Sequence, residues 1–487
     1  MEARVLHDGY ETMRQYYVGS PYMEKYAIDA ELVENVVSSL KRGRAAGLDQ
    51  LTAEHLQHCH QLLPCVLAKF FNLLLRYTYV PTDFGRSYTV PLQKGDKNCS
   101  KSLSVDDFRG ISISCVISKV FEHCIFDRYS SYFKTSDNQF GFKKSTGCSH
   151  AIYSVRSVID HYTAGGTTVN LCALDISKAF DRMDHRGLFV KLMQRGVPTY
   201  LLAVLENWLS KCYTCVKWVS VFSVFYQQEC GIRQGGVLSP QFFALYIDDI
   251  VNTVNMLNIG CFLHRACVSI ILYADDILLL TPSVSGLQRL FTVVETELLK
   301  LGLKINDRKT VCMRIGPHYQ VNCASILTLS GKQLEWVHEL RYLGVYFVST
   351  VKFKCSFNNC KKSFYRSFNA IFGRIGRKAS EETILSLITA KCLPVLLYGL
   401  DVCPVNATDK RSLEYTVNRI LFKIFRTFDL DIIRECQQYF SFPTVNELIL
   451  KRKIRFLSNY VALDNSICST CADVANDELR LLTHLLR

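Results

Sequence analysis

Asp175, Asp275 and Asp276 stand at the ends of apolar runs, where an ionised side chain is costly unless something compensates it. Asp175 closes an extended run in which Val169, Leu171 and Ala173 share its side of the strand, because side chains alternate. Alone, such an acid reads as an ordinary strand end. The other two acids lie within Val268–Thr281 (VSIILYADDILLLT), where two β-type apolar runs flank Ala274–Asp276. That pattern predicts a hairpin with acids at its tip. In isolation an Asp-Asp pair is a good turn dipeptide and no more. Three acids together add like-charge repulsion, which divalent cations relieve. Mg2+ prefers octahedral oxygen ligands and is commonly held by one or two carboxylates plus substrate phosphates. Acids on two adjacent strands, open to a phosphate-bearing substrate, are what two-metal nucleotidyl transfer requires.

The elements around them read as follows. Asp29 caps a helix through Leu40, with Leu32, Val33, Val36 and Val37 on its apolar side. A basic loop, Lys41–Gly47 (KRGRAAG), follows, and then one long helix from about Thr52 to Tyr77, ended near Pro81. Residues 86–165 mix short strands with helices, and strands and helices alternate from Val169 to about Gly344. From Lys352 the pattern becomes helical. Phe364, Phe368, Ile371, Phe372 and Ile375 fall at helical spacing, with Lys361, Lys362, Arg366, Arg374, Arg377 and Lys378 around them.

The two acid segments, LDISKAFD and YADD, resemble motifs A and C of reverse transcriptases. Between them, Gly231–Pro240 (GIRQGGVLSP) resembles motif B in its non-LTR form. Six more segments match in the family's order: Leu40–Gln50, Val90–Lys97 (VPLQKGDK), Asp107–Ile113 (DFRGISI), Asn138–Phe142 with Ser145–Thr146, Leu301–Thr310 (LGLKINDRKT) and Leu340–Val345. The chain thus resembles the reverse transcriptase domain of non-LTR (LINE-type) retrotransposon polyproteins.

The resemblance implies an α+β fold of right-hand type, with fingers, a palm carrying an antiparallel sheet, and a helical thumb. Residues 1–85 would be an N-terminal helical extension and the start of the fingers, 86–350 fingers and palm, 351–430 the thumb, and 431–487 a truncated tail. It implies RNA-directed DNA synthesis from a DNA primer with dNTPs, and two Mg2+ ions with Mn2+ as a substitute. By the same resemblance Asp175, Asp275 and Asp276 are catalytic and bind metal, joined by the Ile176 carbonyl. Phe180 matches the aromatic steric gate beneath the sugar, since the 2′-OH distinguishes RNA from DNA. Gln234 matches a residue that positions nucleotide and template. Arg109 and Lys94 match cations that meet the triphosphate, and Lys309 matches a lysine proposed to protonate pyrophosphate.

Bulk properties agree. Of 487 residues, 57 are Lys or Arg and 44 Asp or Glu, a net charge of +13 that favours a polyanion partner. The 21 Cys, an odd number scattered over a long chain, read as reduced thiols in an intracellular setting. No uncharged apolar run reaches about 18 residues, so no membrane partner is expected. His55, His58, Cys59 and His60 crowd one helix and read as packing. Cys468 and Cys471 form a C-x2-C with His484 downstream but lack the fourth ligand of structural zinc. With no nuclease segment before the fingers or after the thumb, the sequence reads as a truncated copy, placed in a cytoplasmic ribonucleoprotein or the nucleus. The rival readings are a catalytically idle nucleic-acid-binding remnant, a maturase-like RNA-binding protein, and a viral RNA polymerase. Against the first stand three intact acids; against the second, the short tail; against the third, YADD in place of GDD and the bulky Phe180.

Overall fold

The computed structural model describes residues 2–21, 24–94, 103–264, 266–376 and 378–484. Gly95–Lys97 of the VPLQKGDK segment and Arg377 lie outside them. The chain mixes helices and sheets in two compact units, each assembled from separated stretches.

The first unit comprises Met1–Ser136, Ile176–Asn252 and Glu295–Ile305. Asp29 caps the helix Ala30–Ser39, its Oδ1 accepting the Leu32 N–H at 2.8 Å. The single long helix expected from Thr52 to Tyr77 is in fact two, Ala53–Gln57 and Leu63–Tyr77. Pro64 explains the break. It donates no N–H and clashes with the preceding turn, so it is tolerated only where a helix starts. His55 and His60 serve locally: the His55 ring accepts the Thr52 N–H at 3.1 Å, and the His60 ring the Leu62 N–H at 3.2 Å. A sheet of this unit runs Phe108–Ser114, Arg86–Gln93, Tyr213–Trp218, Val221–Phe222 in order, with Tyr226–Gln227 also paired to Tyr213–Trp218.

The second unit comprises Asp137–Asp175, Thr253–Val294 and Asn306–Arg487. Its five-stranded sheet has the order Glu335–Trp336, Val311–Ile315, Val169–Leu174, Asp276–Thr281, Ile270–Tyr273. Val169–Leu174 is central and antiparallel to both neighbours. Val169, Leu171, Ile271, Leu278, Leu280, Met313 and Ile315 belong to one core, which also takes in helices of the C-terminal half. Those helices include Asn358–Ile375, which buries Phe364 and Phe368 and leaves Lys362 and Arg374 exposed. Lys361 is instead half-buried, donating to the Ser412 hydroxyl at 3.0 Å. Cys468 and Cys471 are buried thiols of this core. No helix among the described residues is long and apolar enough to cross a membrane.

Candidate active site

Asp276 begins one strand of a tight hairpin. Asp276 is registered with Tyr273, so Ala274 and Asp275 form a two-residue turn. Ala274 has φ +58°, a left-handed conformation that an L-residue keeps only if its surroundings enforce it. The enforcement comes from Asn138–Phe142. The Ala274 N–H donates to the buried Gln139 Oε1 at 3.0 Å, and the Gly141 N–H to the same oxygen at 2.9 Å. Leu272 exchanges backbone bonds with this segment: its N–H donates to Asn138 O at 2.9 Å and its carbonyl accepts from Phe140 at 2.8 Å. A Cβ on Gly141 would come within 2.5 Å of the Ala274 nitrogen, so only glycine lets the two backbones approach.

The third acid reaches the same end of the sheet. Leu174 pairs with Ile277, so the register continues one step to Asp175 beside Asp276. Asp175 is held by its backbone, its carbonyl accepting the Asn306 N–H at 2.8 Å and its N–H donating to Thr310 Oγ1 at 3.3 Å. Its Oδ2 lies 3.6 Å from Lys309 Nζ. Crowding by protein atoms, then the like charges of Asp275 and Asp175, push the Asp276 carboxyl up to about 6, with Arg341 acting in the opposite sense. The Asp276 side chain still touches solvent, so of the two upward causes the neighbouring charges are the better supported. Among the described residues no group of three or more His, Cys, Asp or Glu forms a ready-made metal cage. The donors here are all hard carboxylate oxygens at a solvent-open edge, three acids against the nearby cations Lys309 and Arg341. That set fits a Mg2+ completed by substrate phosphates and does not fit a closed structural site.

The remaining predicted residues belong to the first unit. Ile176 forms an isolated bridge with Ile305. Phe180 is half-buried and stacked on Phe243, ring centroids 4.7 Å apart, and its carbonyl accepts the Ile232 N–H at 2.9 Å. Gly231, at φ +76°, lies against Asp181, where a Cβ would meet backbone at 2.7 Å. Gln234 offers its carbonyl to the Ser112 N–H at 2.8 Å, and Gly235 packs on Ser112 O, which a Cβ would meet at 2.3 Å. Arg109 is exposed and registered with Leu92. Lys94, also exposed, donates from Nζ to the Asp106 carbonyl at 3.0 Å.

Several supporting residues escaped the sequence reading. Gln139, Gly141, Thr310 and Arg341 lie in segments that resemble the family's, but nothing in their spacing gives them a role. Glu122 was missed altogether. It is buried and accepts the Val237 and Leu238 N–H groups at 2.6 and 2.9 Å, just before the helix Ser239–Ile247. Burial pushes its carboxyl up, against the Leu238 N–H, Arg233 and the Val237 N–H. No sequence signal marks it, because both its burial and its partners 115 and 116 residues away come only from the fold.

Residues 93–347 match the family described as reverse transcriptase (RNA-dependent DNA polymerase), and the chain belongs to that family. It is similar to the RNA-directed DNA polymerase from mobile element jockey of Drosophila funebris, 26% identical over 400 residues, which cover 78% of this chain and 42% of that one. It is also similar to a probable RNA-directed DNA polymerase from transposon BS of Drosophila melanogaster, 23% identical over 472 residues, covering 92% and 50%. A third relative is the retrovirus-related Pol polyprotein from type-2 retrotransposable element R2DM of the same fly, 25% identical over 298 residues, covering 60% and 28%. The chain therefore spans half or less of the length of these relatives.

Proposed function

We propose that this chain is the polymerase part of a retrotransposon protein and copies an RNA template into DNA by adding dNTPs to a primer 3′-OH. The observation that carries the reading is the meeting of Asp175, Asp275 and Asp276 at one end of a buried sheet. These three carboxylates would hold Mg2+, or Mn2+ in its place, with the Ile176 carbonyl as a further oxygen. When bound, such ions activate a primer hydroxyl and neutralise charge on the leaving pyrophosphate.

The chain's own residues do the rest. The Gln139–Gly141 segment fixes the turn that presents Asp275, and the backbone bonds to Asn306 and Thr310 fix Asp175. Positioning of this kind is where most of the barrier lowering in nucleotidyl transfer arises. Lys309 is ion-paired with Asp175 at 3.6 Å, and an incoming triphosphate would compete for it. Phe180 would press on the sugar 2′ position, Gln234 would position nucleotide and template, and Arg109 and Lys94 would meet the triphosphate. In right-hand terms, residues 86–350 form fingers and palm and residues 351–430 the thumb. The exposed Lys362 and Arg374 of the helix Asn358–Ile375 would lie on template–primer phosphates.

The test is primer extension by purified protein on an RNA template with dNTPs and Mg2+. Chelator-sensitive synthesis of full-length DNA is expected. Tight RNA binding without any extension would instead identify an idle binding remnant.

A further inference from the structure

The segment Asn138–Phe142, which fixes the acid turn, is gripped at its upstream end by residues 328 and 329 positions further along the chain. Asn465 Nδ2 donates to the Asp137 carbonyl at 3.0 Å, and the Ser466 N–H to Asp137 Oδ2 at 2.9 Å. Lys143 adds an ion pair to Asp137 Oδ1 at 3.6 Å. Burial opposes the charge on Asp137, but Ser466 and Lys143 outweigh it and hold the carboxyl below its ordinary value. The next residue, Asn138, donates from Nδ2 to the Ile270 carbonyl at 2.8 Å, and Gln139 pairs with Leu272 in an isolated bridge. A segment held by so little pairing depends on what secures its ends. The downstream end is closed locally, Thr146 Oγ1 donating to the Phe140 and Lys143 carbonyls at 2.8 and 3.0 Å.

The upstream grip needs the side chain it has. Asn465 is buried and caps the short helix Ser466–Thr470, its Oδ1 accepting the Cys468 N–H at 3.0 Å. Asp or Ser would cap that helix as well. Asp has no donor left for the Asp137 carbonyl, and Ser is shorter; an amide caps with its oxygen and donates with its nitrogen. Ile467, Cys468 and Cys471 pack in the core beside it. The same C-terminal stretch is moored to the helix Cys148–Ala164. The Tyr460 and Ser154 hydroxyls lie 2.7 Å apart, and Glu478 Oε2 accepts the Tyr153 hydroxyl at 3.1 Å. The grip on Asp137 therefore has a packed base.

We infer that Asn465 and Ser466 are positioning residues for nucleotidyl transfer: by gripping Asp137 they fix the segment that sets the Ala274–Asp275 turn. This rests on the polymerase reading above. The path is continuous, from Asn465 and Ser466 to Asp137, through Asn138 and Gln139, to the Ala274 N–H. A stretch of chain far beyond the acid hairpin thus serves the active site without touching substrate.

The test removes both donors while sparing the helix. Asn465→Ser keeps a capping oxygen and loses the amide N–H. Ser466→Pro removes the other donor at the first helical position, where proline is favoured, and Asn465 already has the extended backbone that a following proline requires. The double variant should lower single-turnover extension about tenfold, less than a displacement of about 1 Å can cost. The Mg2+ concentration for half-maximal rate should rise, and template–primer affinity should hold. Tyr153→Phe is the control: it loosens the same C-terminal stretch without touching Asp137, and should extend at the wild-type rate. Amide hydrogen exchange over residues 270–276 should quicken in the double variant and not in the control. Unchanged exchange in the double variant overturns the inference, as does a wild-type rate in it. So does a matching loss of rate in the control, which would make the effect one of stability alone, or a loss of affinity equal to the loss of rate. If the wild type extends no primer, the polymerase reading fails, and exchange over 270–276 by itself decides whether Asn465 and Ser466 hold the turn.

Discussion

The molecule's two large sheets answer opposite demands. The one around Val169–Leu174 is buried on both faces for most of its length, and its acids emerge only where it ends. The one around Arg86–Gln93 is half-exposed along its strands, carries Arg86, Arg109 and Lys217, and ends in an open aromatic hairpin. Groups that must be held to a fraction of an ångström are fastened through the backbone: Asp175 to Asn306 and Thr310, and the Ala274 turn to Gln139. On the polymerase reading, the cations on the open strands would need only to meet a polyanion, where position matters less and charge matters more.

Changes that loosen the buried sheet should therefore hurt chemistry, and changes on open surfaces should hurt binding. Outside the carboxylates themselves, the largest effect is expected from Gly141→Ala. The new Cβ would press on the Ala274 backbone, shifting the acid-bearing turn. A displacement of about 1 Å can cost about 100-fold in rate. Single-turnover extension should fall by about that much while template affinity holds; matched losses in both would mean that the fold itself had failed.

Next comes Phe180→Val. An apolar pocket alone rejects an added hydroxyl only about 100-fold, and on the polymerase reading a ring against the sugar would supply further exclusion. Ribonucleotide use should rise at least about tenfold, equivalent to about 1.4 kcal/mol, read from kcat/KM for rNTP against dNTP. An unchanged ratio in an active variant would leave Phe180 as a packing residue stacked on Phe243.

A smaller effect should follow from Lys362→Gln/Arg374→Gln on the exposed face of Asn358–Ile375. Affinity should drop a few-fold for every template sequence, and the slope of log affinity against log salt should flatten by about one for each phosphate that a cation no longer neutralises. Sequence-selective loss would contradict the assignment.

The smallest concerns stability. Asp276 has its carboxyl raised to about 6 in the fold, against an ordinary value of 3.8. The folded protein then holds that proton longer than the unfolded chain does, so this group subtracts stability as pH rises from about 4 through 6. Without divalent cations, Asp276→Asn should melt above the wild type at pH 7 and level with it below about pH 4. Because the side chain touches solvent, the gain should stay near 1 kcal/mol or less. Added Mg2+ should narrow the gap by stabilising the wild type. A gap independent of pH would refute the charge argument.

The acid hairpin was legible because period-two apolar runs and a turn dipeptide leave little choice of register. The Asp29 cap was legible from a single residue type. The break at 58–62 was not, since the apolar spacing runs through it and only Pro64 signals a new start. Gln139 and Glu122 were unreadable as supports because they act across 135 and 115 residues of chain, and Gly141 reaches the same distant turn as Gln139. Spacing along a sequence says nothing about such long-range pairings. For Lys94, Arg109 and Lys309 the sequence supplies only a cation. In the fold, Lys94 lies on the Asp106 carbonyl and Lys309 beside Asp175.

The most direct test compares wild type and Asp275→Asn in single-nucleotide extension on an RNA template with Mg2+, with template–primer affinity measured on the same samples. Loss of a metal-binding carboxylate commonly costs more than about 4 kcal/mol, or roughly a thousandfold in rate. The account predicts that loss with affinity retained. Undiminished extension by Asp275→Asn would contradict it.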